Sequence, residues 1–174
     1  MRKTERGITL LEMLVTLAIA AVLLGLGVPS FERMLVAAEL RTRSQELVFG
    51  AMRAREHAVI FRTHVVLCPS IDGATCLAEP HWHRGWISFE DTDDDRALDP
   101  SERLIEQHVA SARGITLVSS RSRRRMRFYP AGWAWGSNTT IRVCAPGNRI
   151  PGRRLILSGT GRMRTADATS DTCD

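Results

Sequence analysis

Lysine is all but missing from this chain. Of 24 basic residues only Lys3 is a lysine, so nearly all the positive charge is guanidinium. Arginine's planar fork grips phosphate or carboxylate through two parallel hydrogen bonds, where an ammonium acts only as a point charge. Acidic residues are missing from one long stretch: from Arg113 to Arg164 there are twelve arginines and no aspartate or glutamate. The segment from Asp72 to Glu106 is the reverse, with ten acids against three arginines. The formal net charge of +5 therefore conceals two regions of opposite character. Signatures of catalysis are missing as well. No glycine-rich phosphate loop or G-x-S-x-G elbow occurs. His57, His64, His81, His83 and His108 show no nucleophile–base spacing. The chain does not read as an enzyme, and no cofactor is expected.

One long apolar run is present, the 21 residues from Ile8 to Val28, with Glu12 as its single charge. At about 1.5 Å per residue such a run spans a bilayer core of about 30 Å. The tripeptide Ala18-Ile19-Ala20 mimics a signal peptidase site, but Ala21-Val22-Leu23-Leu24 still lies ahead of it. A secretory cleavage site follows the apolar region, so this run is expected to stay on the protein. The short basic leader ahead of it predicts a cytoplasmic N-terminus, with everything after Pro29 outside the inner membrane. A carboxylate within hydrocarbon is expensive, and Glu12 therefore calls for a functional explanation.

The hexapeptide Gly7-Ile8-Thr9-Leu10-Leu11-Glu12, followed by this run, resembles the prepilin signature of type IV pilins and type II secretion pseudopilins. The resemblance implies that a prepilin peptidase cuts between Gly7 and Ile8 and that Ile8 is N-methylated, at a position where the family usually has phenylalanine. It also implies that Glu12 neutralises the new amine of a neighbouring subunit when the segment leaves the lipid for a filament. Buried charges are tolerated only when paired, which gives that carboxylate a physical purpose. Loss of the leader removes three basic residues and one acid, which lowers the formal charge from +5 to +3.

Gly25, Gly27 and Pro29 interrupt the apolar span near its outer end, and proline within a helix predicts a kink. Beyond it Val36, Leu40, Leu47, Ala51, Ala54 and Ala58 recur at steps of three, four or seven, predicting an amphipathic helix to about Ile60. After Phe61 the period changes. Runs at Thr63–Cys68, Gly85–Glu90, Leu104–Val109, Ile115–Ser119, Met126–Tyr129, Thr140–Cys144 and Leu155–Ser158 predict strands separated by proline- and glycine-rich turns. The expected fold is α+β and pilin-like. It comprises a leader over residues 1–7, a membrane-spanning helix over 8–28, an amphipathic second half over 29–61, and a β-rich head over 62–174. The amphipathic half packs on an antiparallel domain of one or two small sheets.

Four cysteines in a domain outside the cytoplasm point to disulfides, and three pairings are open. Cys68 with Cys76 and Cys144 with Cys173 are favoured, the first closing a local loop and the second pinning the tail to a strand. Cys68, Cys76, His81 and His83 form a looser zinc alternative, which an oxidising compartment disfavours. Asp91, Asp93, Asp95 and Glu102 sit at positions one, three, five and twelve of a calcium-loop spacing, with Asp99 at nine. Arg96 stands where that loop requires glycine, so an acidic hairpin turn is the plainer reading.

Within the basic region the strongest feature is Gly161-Arg162-Met163-Arg164. In an extended segment Arg162 and Arg164 point to one side, about 6.6 Å apart, and Met163 to the other. Gly161 lets the backbone turn or approach a ligand closely. The segment resembles the Gly-Arg-x-Arg motif of FimT-type minor pilins within the broader FimT/GspH family. Arg154-Leu155-Ile156-Leu157-Ser158-Gly159 before it, the late cysteine, and Leu67-Cys68-Pro69 followed by Gly85-Trp86 extend the similarity. The resemblance implies DNA capture during natural transformation, with Arg149, Arg153 and Arg154 as supporting contacts. Contacts to phosphate are sequence-independent and salt-sensitive. The Arg121–Arg127 cluster reads as a solvated strand edge, and Trp133 and Trp135 read as packing a loop onto the core rather than stacking on bases. Expected partners are other pilins in a filament, the prepilin peptidase, DNA, and the inner membrane before assembly, in a single-pass topology with a periplasmic head. A pseudopilin of a type II secretion system and a purely structural minor pilin are the alternatives.

Overall fold

The computed structural model describes residues 9–110, 114–148, 150–168 and 173. It begins with one α-helix, α1, Leu10–Phe61. Thr9 caps it: its Oγ1 accepts the Glu12 amide at 3.3 Å, and its carbonyl accepts the Met13 amide at 3.2 Å. A threonine cap three residues before a glutamate is a capping-box spacing, and the acid in the first turn suits the positive end of the helix dipole. The helix runs on through Gly25, Gly27 and Pro29. It stops at Arg62, whose φ of 53° takes the left-handed conformation that closes helices.

The chain divides between Val36 and Ala37 into two units. In the first, the apolar side chains from Leu10 to Leu24 are exposed, and the helix is long and apolar enough to cross a membrane. Val36, at the end of the first unit, is half-buried; in the second, Leu40, Leu47, Ala51, Ala54 and Ala58 are buried, three, four or seven residues apart, as the helical spacing predicts. Ser44 lies in the same stripe, its hydroxyl bonded to the Leu40 carbonyl at 2.7 Å. Gly50 is there because a Cβ would lie 2.4 Å from the Trp86 ring. Glycine inside a helix costs about 1 kcal/mol relative to alanine, and here that cost is set against the close seat of an indole.

Eight strands follow: β1 His64–Pro69, β2 Gly85–Asp91, β3 Leu104–Val109, β4 Thr116–Val118, β5 Met126–Phe128, β6 Thr139–Cys144, β7 Arg153–Leu157 and β8 Met163–Asp167. They form two antiparallel four-stranded sheets, ordered β3-β2-β1-β5 and β4-β6-β7-β8. β1 and β2 are buried on both sides. On one side Val66, Cys68, Ile87 and Phe89 form a core cluster, against which Cys76 and Leu98 pack. On the other, α1 is tied down by polar pairs: His57 to Glu90 at 2.6 Å, Arg53 to Glu106, and Glu46 to His108 at 3.1 Å. The second sheet alternates instead. Ile141, Val143, Leu155, Leu157 and Met163 are buried, and their neighbours in sequence face outward.

Seven strands match the sequence reading to within two residues, and β8 is the addition. It is an edge strand, Met163-Arg164-Thr165-Ala166-Asp167, with a single buried side chain. The disulfides Cys68–Cys76 and Cys144–Cys173 are both formed. Disulfide formation commits two members of the zinc alternative. His83 moreover turns its Nδ1 to the Leu117 backbone, 3.2 Å from the carbonyl.

Candidate nucleic-acid interface

The register of the second sheet decides which arginines act together. Residues directly opposite one another in antiparallel strands share a side of the sheet. Arg142 on β6 lies opposite Arg154 on β7, and Ile156 lies opposite both Thr140 and Arg164. Arg142, Arg154 and Arg164 therefore occupy the outer side, next to exposed Arg162 just before β8. Met163 turns inward at 8% exposure, so Arg162 and Arg164 point the same way, as the extended reading predicts. Among the described residues of these strands no acid shares that side. Guanidiniums placed directly opposite each other repel, and a polyanion removes that repulsion. Arg154 donates its Nε to the Asp167 carbonyl at 3.1 Å, which holds the side chain along the sheet.

Arg153 is a correction. It shares parity with buried Leu155 and Leu157 and faces Val143 and Asp167, so it lies on the opposite side from Arg154. Arg142 is the residue that sequence reasoning missed. Its signal was the strand Thr140–Cys144, in which Arg142 alternates with Ile141 and Val143. Gly7, Ile8 and Arg149 lie outside the described residues.

Gly161 has a structural task. With φ of 76°, it closes the β7–β8 turn through its amide to the Ser158 carbonyl at 2.9 Å. A Cβ there would sit 2.2 Å from the Gly132 carbonyl oxygen. That oxygen also accepts Arg55 Nε at 2.7 Å, and the Ala134 amide bonds the Gly159 carbonyl at 2.9 Å. What Gly161 approaches closely is the neighbouring loop 129–137, which carries Trp133 and Trp135. Only Ala134 between them is buried. Trp133 and Trp135 are 43% and 60% exposed and pack edge to face at 4.4 Å, so the expectation that they seat the loop on the core is corrected.

The Arg121–Arg127 cluster is solvated at Arg121 and Arg123, as expected, and is corrected at Arg127. Arg127 is buried, with Asp91 at 3.2 Å and Asp94 as its ion-pair partners and His64 Nδ1 at 3.1 Å. A strand alternating arginine with apolar residues here is covered on both sides. Asp91, Asp93 and Asp95 do gather, with ligand atoms within 4.8 Å of one another. Glu102 does not join them; its carboxylate accepts the Thr92 amide at 2.7 Å and the Asp99 amide at 3.2 Å. Arg127 thus takes the place of a cation at buried Asp91, and the segment is an acidic turn between β2 and β3. Arg96 adopts φ of 65° where a calcium loop has glycine.

Comparison with known proteins places this architecture. The chain is similar to the type IV minor pilin FimU of Pseudomonas aeruginosa, with a TM-score of 0.62 at 19% identity, over 79% of this chain and 97% of that one. It is also similar to the minor pseudopilin EpsH from the type 2 secretion system of Vibrio cholerae, with a TM-score of 0.52 at 12% identity, over 74% and 97% of the two chains. In sequence it is 29% identical over 166 residues to the pilin-like protein PilA1 of Thermus thermophilus, covering 92% of this chain and 98% of that protein. The fold is that of a type IV pilin or pseudopilin subunit, a structural class and not an enzymatic one. Residues 44–161 match the family described as type II transport protein GspH, and residues 2–28 match the prokaryotic N-terminal methylation motif. The chain belongs to the GspH family.

Proposed function

We propose that this chain is a minor pilin of a type IV pilus and binds DNA, without regard to sequence, for uptake in natural transformation. The observation that carries the reading is the outer side of the second sheet, where Arg142, Arg154, Arg162 and Arg164 stand together without an acid among the described residues. Each guanidinium can fork a phosphate, and among the described residues none is paired with a carboxylate. In this reading a prepilin peptidase removes residues 1–7, Ile8 is N-methylated, and residues 8–28 hold the subunit in the inner membrane with the head in the periplasm. Glu12 then answers the amine of a neighbouring subunit within the filament, and its place in the first turn of α1 supports that role. The full-length chain in uncharged detergent, titrated with duplex DNA in a gel shift, tests the reading. Arg162→Gln with Arg164→Gln should weaken the shift while leaving the thermal unfolding midpoint unchanged; an undiminished shift contradicts it.

A second reading, a minor pseudopilin of a type II secretion system, is favoured by the family description and by the likeness to EpsH. It predicts no DNA shift and a stable complex with other pseudopilins.

A further inference from the structure

The outer side of the second sheet is not the only concentration of guanidinium. Arg96, Arg123, Arg124, Arg125 and Arg127 line a cavity of about 200 Å³, and exposed Trp135 forms an aromatic wall to it. Two segments distant in sequence supply these groups, the acidic turn after β2 and the stretch leading into β5. Acids are close by but do not exhaust the charge. Asp91 and Asp94 answer Arg127, and Asp95 attracts Arg125 across space. The side chains of Arg96 and Arg125 make no hydrogen bond or ion pair among the described residues. The Nε donors of Arg124, Arg125 and Arg127 are buried with no hydrogen-bond partner among the described residues. Buried donors without acceptors are costly, and crowded guanidiniums repel, so the arrangement favours an anion in the cavity. Burial, with Arg124 and Arg96 alongside, also weakens the hold of Arg125 on its proton, and a bound anion reverses that.

A second cavity of about 390 Å³ adjoins the first through Arg123 and is lined also by Asn138, Thr140 and Ile156. Thr140 and Ile156 lie in the row that ends on Arg164. The arginine cavity thus adjoins, through Arg123, a second one that reaches the outer side of the sheet, and Trp135 lines the first.

We propose that this cavity receives a phosphate of an unpaired nucleotide whose base stacks on Trp135, so that the chain holds DNA with a single-stranded overhang more tightly than blunt duplex. The inference rests on the DNA-binding reading. Guanidiniums alone fit any phosphate; an indole exposed at the same cavity adds a surface that only an unstacked base can use. In a blunt duplex the bases are sheltered in the stack, and only the sheet arginines engage.

The test uses the full-length chain in uncharged detergent, with a fluorescent blunt duplex and the same duplex bearing an oligothymidylate overhang. The overhang should raise affinity about tenfold and quench tryptophan fluorescence. Trp135→Ala should remove the preference while leaving blunt-duplex affinity unchanged, Trp135→Phe should restore part of it, and Arg125→Gln should weaken overhang binding. Equal affinity for the two DNAs, or a preference that survives Trp135→Ala, overturns the inference while leaving the sheet interface standing. Binding to neither DNA overturns the DNA reading itself.

Discussion

Gly161 shows how one residue links the fold to the candidate site. Its φ of 76° and the 2.2 Å separation its Cβ would have from the Gly132 carbonyl leave no room for a side chain. Gly161→Ala should cost about 1–3 kcal/mol, read as a lowered thermal unfolding midpoint, because both the left-handed backbone and the loop contact are lost. Arg127 carries a different burden. Its guanidinium lies against Asp91, which has no exposed side chain surface. Arg127→Met strands that carboxylate and should cost about 3–5 kcal/mol, whereas adding Asp91→Leu should recover most of the loss. Neither role was legible in the sequence. Gly161 and Gly132 are far apart along the chain, and so are Arg127 and Asp91, and each meeting is made by the fold. The alternation Arg125-Met126-Arg127-Phe128 argues for a solvated side, and β5 defeats it by being buried on both. Arg153 and Arg154 look equivalent as neighbours, and only register against Asp167 and Ala166 separates them.

At the scale of elements the sequence was far more legible. The helical stripe is local and periodic, and each of its members from Leu40 onward is buried. The strands with apolar cores are found because burial demands apolar residues at fixed spacing. β8 was missed for the converse reason: an edge strand with one buried side chain need not look like a strand. The short helical turn Trp82–Arg84, ahead of β2, makes a prediction of its own. His83 turns from it onto the Leu117 backbone of β4. Burial first, and then the nearby charges of His81 and Arg84, hold the imidazole below its ordinary value of 6.5, against the bond to Leu117 that favours protonation. A base whose folded pKa is depressed takes up its proton more readily when unfolded, so stability falls as pH drops through the unfolded-state value. Acidification from about pH 7.5 to about pH 5.5 should lower the unfolding midpoint, and His83→Gln should flatten that part of the dependence.

For the whole molecule, the two ends of the chain answer separate questions. The apolar run is long enough to cross a membrane, and residues 2–28 match the N-terminal methylation motif of pilin-like subunits. The segregation of charge, legible in the sequence as an acid-free stretch from Arg113 to Arg164, becomes in the fold a basic side on the second sheet and a guanidinium-lined cavity beside it. Part of that stretch is structural, as Arg127 shows, so composition alone overstated the surface available to a ligand.

The central claim is that the outer arginines neutralise phosphates, and salt dependence measures that directly. Duplex binding by the full-length chain should be followed by fluorescence anisotropy as salt is doubled. Four neutralised phosphates give a slope of about −3.6 in log K against log salt, so doubling the salt should weaken binding about twelvefold. Arg162→Gln with Arg164→Gln should halve the slope, to about −1.8. A slope near zero, or one that the double substitution leaves unchanged, would contradict the account.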